Sequence, residues 1–232
     1  MITPLQALAK SQEIHRRLEA LRVSWHRKMK AAHRNEIKCR KGCNHCCRYL
    51  VLTWTFEGIL IAYRLMQAGH ASLDTFKKLQ DLNRMQAPKL HEIRSQERAA
   101  VGADQVNYLA KPDRLADEWF GRYEDCPFLK EGLCSIYDIR PLACSSHYVV
   151  SPIERCNLPV GQETASLNNM DLLVRAFHFN AELFSAIWEN PVMAAAPEPL
   201  STNVIGGYVL LTKGVEEFRN LMGGEPEKSG KG

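Results

Sequence analysis

The sequence lacks the features that mark membrane and secreted proteins. Its most apolar segment, residues 49–66, is interrupted by Glu57, Gly58 and Arg64, so it falls short of the ~20 apolar residues needed to cross a bilayer. The first residues carry Lys10 and Glu13 where a secretory signal would have an apolar stretch. We therefore expect no membrane-spanning helix and a cytoplasmic location.

Motifs for several common enzyme chemistries are also missing. The sequence has no P-loop, no His-Glu-x-x-His zinc motif and no Ser, His and Asp arrangement in a motif context. Gly206 and Gly207 lack the spacing of a dinucleotide-binding loop. Hydrolytic and nucleotide-dependent functions therefore have no support in the sequence.

Cysteine is too scarce for a disulfide-stabilised scaffold. There are 8 cysteines in 232 residues, whereas small secreted disulfide scaffolds contain about 8–10% cysteine. A chain of this length with 45% hydrophobic residues can bury a full core without crosslinks. In a reducing compartment, clustered cysteines indicate metal or redox chemistry instead.

Hydrophobic periodicity predicts a mainly α fold, a helical domain with a cysteine-rich region that is irregular or forms a short hairpin. Residues 49–56 are predicted to form a strand or an extended segment that enters a helix at Thr55. Residues 191–202, rich in proline, are predicted to be a linker. The predicted helices cover residues 4–36, 55–69, 72–101, 112–120, 164–188 and 215–222.

The positive charge is concentrated at the N-terminus. Residues 1–48 contain twelve Lys and Arg against three acidic residues, a net charge of +9, while the whole chain carries +4. An acidic protein or a nucleic acid could bind such a basic helix, but a solvated basic face is the simpler interpretation. The apolar stripe of this helix consists of Ile14, Leu18, Leu21, Trp25 and Met29.

The first cysteine cluster has the density of a metal-binding loop. Short spacings deliver several thiolates to one soft cation from a single loop. Gly42 permits the positive φ that such a loop requires. The cluster consists of Cys39, Cys43, Cys46 and Cys47.

A second block contains Cys126, Cys134 and Cys144. Residues 130–132 predict a turn, and the resulting hairpin would bring Cys126 and Cys134 together. These three cysteines and the four of the first cluster are our seven candidate metal ligands. They already exceed the four ligands of one site, so we interpret His45 and His147 as neighbours of the ligands.

Two residues near the second block have different expected roles. Arg140 is predicted to lie near the thiolates and offset their negative charge. Eleven residues separate Cys156 from Cys144, and we interpret Cys156 as a lone thiol, with an additional ligand as the alternative.

The chain resembles the CxxCxxCC, or YkgJ-like, family of zinc- or iron-chelating domains. The resemblance covers about residues 37–150 and rests on Cys43, Cys46 and Cys47 together with a second, longer block. Two positions depart from the family pattern: three residues separate Cys39 from Cys43, and Ser145 replaces a basic residue. The second block comprises residues 126–129, 134–137 and 140–144.

The resemblance implies metal binding more directly than a reaction. We expect a basic amphipathic helix at 1–36, a CxxCxxCC metal-chelating domain at 37–160, a C-terminal helical part of the same domain at 161–222 and a disordered tail at 223–232. The expected function is chelation of zinc or iron, with an iron–sulfur cluster included. One alternative is an iron–sulfur enzyme in redox chemistry or protein modification, since related domains occur in lysine methylases. The other is a zinc-stabilised adaptor whose basic helix binds nucleic acid or an acidic protein.

Overall fold

The computed structural model describes residues 2–69, 73–101, 125–157, 166–188 and 197–222, the side chains at 97, 98, 100 and 101 excepted. In these ranges the fold is mainly α, as predicted, and no helix is both long and apolar enough to span a membrane. The predicted helix at 112–120 and the tail at 223–232 lie outside the described residues. The helices are α1 (Pro4–Ala32), α2 (Thr55–Ala68), α3 (Leu73–Val101), α4 (Leu142–Ser145), α5 (Met170–Ile187), α6 (Leu200–Lys213) and α7 (Val215–Met222).

Six short strands form three antiparallel pairs in the described ranges. The first pair joins β1 (Leu52–Thr53) to β6 (Glu198–Pro199). The second is a local hairpin of β2 (Leu129–Lys130) and β3 (Leu133–Cys134), and the third joins β4 (His147–Val149) to β5 (Ser166–Asn168). The second and third pairs contain residues of the second cysteine block or adjoin them.

Helix α1 begins where predicted and ends four residues early. Thr3 caps its N-terminus, because the Thr3 hydroxyl accepts a hydrogen bond from the backbone N–H of Gln6 while the Gln6 side chain accepts one from the Thr3 N–H. The predicted end at residue 36 is wrong, since the helix stops at Ala32. The N–H of Lys38 donates to the carbonyl of Val149 at 2.9 Å, so the chain has left the helix to run beside β4.

Only the first half of α1 packs as its apolar stripe predicts. Ile14 and Leu18 are buried, whereas Leu21 is 39% exposed. Farther along, the Trp25 ring stacks on Tyr148 with centroids 5.2 Å apart.

Whether the basic half of α1, residues 23–32, binds an acidic partner stays a prediction. Its exposed basic side chains are Arg27, Lys28 and Lys30.

Helix α2 occupies the centre of the fold and has the boundaries that were predicted, beginning at Thr55 and followed by Gly69 at a φ of 58°. Its apolar side chains are buried on several sides, as expected for a helix surrounded by others. The main core combines α1, α2, α5, α6 and α7, and its members include Ile14, Leu18, Ile59, Leu172, Leu183, Leu210 and Phe218.

Helix α6 was missed by the sequence analysis. The predicted linker at 191–202 is wrong for its described part, because residues 198–199 form β6 and α6 begins at Leu200. The two glycines and several β-branched residues of α6 lower its helix propensity. Its stability therefore comes from tertiary packing, which local sequence does not reveal.

The α2–α6 contact is a close approach of two backbones. A Cβ built on Gly58 would lie 2.2 Å from the carbonyl oxygen of Asn203, and one built on Gly207 would lie 2.7 Å from the carbonyl oxygen of Gly58. Only glycine permits this approach. The Asn203 side chain then donates to the carbonyl of Thr53 at 2.6 Å, which fixes β1 and the start of α2 against α6.

Helix α5 begins later than predicted. The expected helix spans 164–188, but residues 166–168 form β5 and pair with β4. Asn169 caps α5, since its side chain accepts a hydrogen bond from the N–H of Leu172 at 3.0 Å. The first two residues of the predicted helix lie outside the described ranges.

Candidate metal centre

The first cysteine loop is a series of tight turns between α1 and β1. Gly42 has a φ of 87°, which confirms the expected positive φ. The N–H of Cys43 donates to the carbonyl of Arg40 at 3.0 Å, and the N–H of Cys47 donates to the carbonyl of Asn44 at 2.9 Å. These turns keep the four cysteines of the loop close together along the backbone.

The second block contains the predicted hairpin. Strand β2 pairs with β3 so that Leu129 lies opposite Cys134. Glu131 and Gly132 both have positive φ, 51° and 78°, the pattern of a two-residue hairpin turn whose twist matches its strands. Cys126 lies at the base of this hairpin, where its carbonyl accepts a hydrogen bond from the N–H of Leu129 at 2.8 Å.

Backbone hydrogen bonds join the two blocks. The N–H of Cys126 donates to the carbonyl of Cys47 at 2.7 Å. The Asn44 side chain reaches the carbonyl of Gly132 at 3.4 Å, and at the other end of the loop the N–H of Val149 donates to the sulfur of Cys39 at 3.3 Å. Segments separated by about 80 to 110 residues in the chain therefore meet here.

A buried carboxylate positions the segment that contains Cys144. The N–H groups of Leu142 and Trp54 donate to the two oxygens of Glu57, at 2.6 and 2.9 Å. Burial raises the pKa of the Glu57 carboxyl to about 7, although these two hydrogen bonds act in the opposite direction. The sequence analysis missed this role. Its available signal was an acidic residue three positions after the N-cap Trp54, in an otherwise apolar stretch.

Thiols of both blocks lie within range of the charge of Cys46. The Cys47 thiol donates to Cys46, which lowers the pKa of Cys46 and raises that of Cys47. Thiolates gathered in this way repel one another, and a cation among them would remove that repulsion. Desolvation first, and then neighbouring charges that include Cys46, raise the pKa of Cys39, Cys126, Cys134, Cys144 and Cys156.

Arg140 lies near these thiols, as expected. Desolvation raises the pKa of Cys39, Cys134 and Cys144, and the charge of Arg140 counters that rise. The guanidinium lies 4.3 Å from the centroid of the Tyr137 ring. This cation–π contact stabilises the position of the guanidinium near the thiols.

Cys156 lies closer to the first loop than the sequence indicates. The Tyr49 hydroxyl donates to the carbonyl of Cys156, and the Tyr49 N–H donates to the carbonyl of Cys46 at 3.2 Å. Desolvation raises the pKa of Cys156 to about 11, and the charges of Cys39 and Cys43 add to this rise. Cys156 is therefore far from Cys39 and Cys43 in the chain but within range of their charge in the fold.

The two histidines of the region differ in surroundings. A positive charge on His45 would lower the pKa of Cys46, although less than the hydrogen bond from Cys47 does. The Nδ1 atom of His147 is hydrogen-bonded to Asn168 at 2.7 Å. His147 also lines a cavity of about 370 Å³ that has Cys46 and Cys144 in its wall.

All eight cysteines lie in the described residues and carry free thiols. Within those residues, no three His, Cys, Asp or Glu side chains are grouped closely enough to hold an ion. The chemistry of the donors nevertheless fits zinc or iron, because both ions accept thiolate ligands and a backbone hydrogen bond joins the two cysteine-bearing segments.

Comparison with known proteins identifies a family but no individual relative. No curated protein and no solved structure shows a significant match to the chain. Residues 38–161, just over half of the chain, match the model of one family. The match extends past the predicted limit of residue 150 and includes Cys156. The chain therefore belongs to the CxxCxxCC family, which is described as a putative zinc- or iron-chelating domain.

Proposed function

We propose that the protein binds zinc or iron through thiolates of both cysteine blocks, centred on Cys46. The observation that carries this proposal is geometric: the N–H of Cys126 donates to the carbonyl of Cys47 at 2.7 Å, so the two cysteine blocks meet at their backbones. The hydrogen bond between Cys126 and Cys47 keeps the two blocks together before any ion is bound. Less ordering entropy is then lost when the thiolates close around an ion.

The number of thiolates bears on the kind of centre. One tetrahedral zinc uses four ligands at ~2.3 Å, and an iron–sulfur cluster also uses four cysteines. Seven candidate ligands leave a surplus that a second ion or a redox role would use. Four thiolates around Zn²⁺ leave a net negative charge, which the nearby guanidinium of Arg140 would offset.

Anaerobic purification followed by metal and sulfide analysis tests this proposal. We expect about one or two zinc or iron ions per chain. Iron with labile sulfide and visible absorption would identify an iron–sulfur centre and open the alternative of an enzyme in redox chemistry or protein modification. A colourless protein with zinc and no sulfide would exclude that alternative. Metal-free protein that takes up neither ion on reconstitution would refute metal binding.

Serine variants locate the centre. We expect Cys46→Ser and Cys126→Ser to lose bound metal, because each removes a thiolate from the joined blocks. Helical content, measured by circular dichroism, controls for unfolding. Cys156→Ser is the matched comparison, since Cys156 lies in the same electrostatic neighbourhood but outside the seven predicted ligands. If all three variants keep the full metal content, the proposed ligands are wrong.

A further inference from the structure

A second cavity, of about 410 Å³, lies on the other side of the segment that carries Cys144. Residues 15–26 of α1, the start of α2 and residues 137–145 form its walls. The volume is in the range of small-molecule sites. The four cysteines of the first loop do not line this cavity, so it is distinct from the proposed metal centre.

The charges in the wall leave one unpaired cation. Glu19 is paired with Arg22 through two contacts of 2.6 Å, and both residues line the cavity. Asp138, also in the wall, is paired with Arg64 at 2.6 Å. Among the described residues Arg140 forms no ion pair with a carboxylate, and its guanidinium lines the cavity while its charge also acts on Glu19 and on the thiols.

A buried hydroxyl in the same wall is also unsatisfied. Ser145 is 3% exposed, and its Oγ has no hydrogen-bond partner among the described residues. A buried hydroxyl without a partner destabilises the folded state, because it has lost its hydrogen bonds to water. A ligand oxygen that accepts from it would recover that energy.

Apolar side chains complete the walls. Leu18, Phe56 and Leu142 line the cavity from three different elements. Burial also lowers the pKa of His15 in the same wall, so this imidazole adds no charge at neutral pH. Glu57 also lines the cavity, but both of its oxygens accept hydrogen bonds from backbone N–H groups. The site therefore combines a guanidinium that forms no ion pair, an unsatisfied donor and an apolar surface.

We propose that this cavity binds a small organic anion, with its charged group held by Arg140 and Ser145 and its apolar part against Leu18 and Phe56. An anionic headgroup accepts charge-assisted hydrogen bonds from a guanidinium, whereas an amine of the same shape would be repelled. The ring of Tyr137 beneath Arg140 limits the motion of the guanidinium before the ligand arrives. This site goes beyond the proposed metal binding and does not depend on it.

Calorimetric titration of the full chain with matched probes tests the proposal. The probes are 3-phenylpropionate, 2-phenylethylamine and inorganic phosphate. We expect saturable binding of 3-phenylpropionate, at least tenfold weaker binding of the amine, and phosphate binding that is weaker because it lacks the apolar contact. Equal affinity for the amine, or no saturable binding of 3-phenylpropionate, would overturn the site. Phosphate binding as tight as that of 3-phenylpropionate would overturn the apolar part.

Variants place the binding in the cavity. Arg140→Gln should weaken binding of 3-phenylpropionate at least tenfold, while Arg17→Gln, whose guanidinium also lies over a ring, should have no effect. Because Arg140 also acts on the thiols, we add a second pair of variants that leaves Arg140 unchanged. Val23→Trp should block the cavity, and Leu21→Trp is its control, since both residues are 39% exposed on α1 but only Val23 lines the cavity. Unchanged affinity in Arg140→Gln or in Val23→Trp would refute the proposal.

Discussion

Replacement of Gly58 by alanine should loosen the whole fold, because it acts at the contact between α2 and α6. The added Cβ would lie 2.2 Å from the carbonyl oxygen and 2.4 Å from the carbonyl carbon of Asn203, whereas ordinary contacts begin near 3.4 Å. The clashing atoms belong to the backbone and cannot rotate away. The two helices must therefore separate by about 1 Å, and the surrounding packing must open with them.

The expected change in the free energy of unfolding is the sum of two unfavourable contributions and one favourable one. Overpacking of a core costs about 1–3 kcal/mol and occasionally more, and a backbone clash this severe belongs at the upper end. Alanine improves helix propensity over glycine by about 1 kcal/mol. Separation also strains the hydrogen bond from Asn203 to Thr53. We expect a net loss of about 3 kcal/mol in the free energy of unfolding, or about 6–12 °C in Tm for a chain of this size.

Gly206→Ala is the matched control in the same region. Its Cβ would meet the Met222 sulfur at 2.8 Å and the Phe218 ring at 3.0 Å, and these are side-chain atoms that can shift. We expect a change within about 1 kcal/mol, since the gain in helix propensity offsets the adjustment. Urea unfolding followed by circular dichroism, at equal metal content, compares the two variants. Equal stability of Gly58→Ala and Gly206→Ala would refute the argument from backbone contact.

Three further predictions concern the buried Glu57, an ion pair and the basic half of α1. The folded pKa of Glu57, about 7, lies above its ordinary 4.5, so its contribution to stability is full below pH 4.5 and falls as the pH rises to 7. The stability advantage of the wild type over Glu57→Gln should therefore shrink by up to about 3 kcal/mol between pH 5 and pH 8 in urea unfolding, and a constant difference would contradict this. Arg94→Met removes a 2.5 Å ion pair with Glu198. We expect this variant to lose about 2–3 kcal/mol in the free energy of unfolding, and Glu198→Gln to lose less. Equal losses in the two variants would argue against a dominant role of the arginine. Nucleic-acid binding by the basic half of α1 predicts an affinity that falls steeply with salt in fluorescence polarisation, and absent or salt-insensitive binding would dismiss it.

Local sequence was sufficient where a structural feature depends on neighbouring residues. The hairpin follows from Glu131 and Gly132, whose positive φ values close a tight turn. The limits of α2 follow from the pattern that begins at Thr55 and from the glycine that ends it. The cysteine clusters were evident from spacing alone, because thiolates of one loop need no distant partner to come together.

Features that depend on distant segments were missed or misplaced. Helix α6 has low propensity and exists because Gly58 and Gly207 let it pack against α2. The end of α1 depends on the pairing of Lys38 with Val149, more than 100 residues away. No local rule contains either contact, so the sequence predicted a linker in one case and a longer helix in the other.

The sequence by itself determined the family and predicted thiolate ligands, because these depend on residue types and on short spacings. Only the tertiary structure decided how the blocks meet, that Cys156 returns to the first loop, and that Glu57 holds the segment containing Cys144. It also decided that Arg140 lines a second cavity while its charge acts on the thiols. The physical reason is that burial and charge act through space, so a group's environment is set by segments that the fold brings together rather than by its neighbours in the chain.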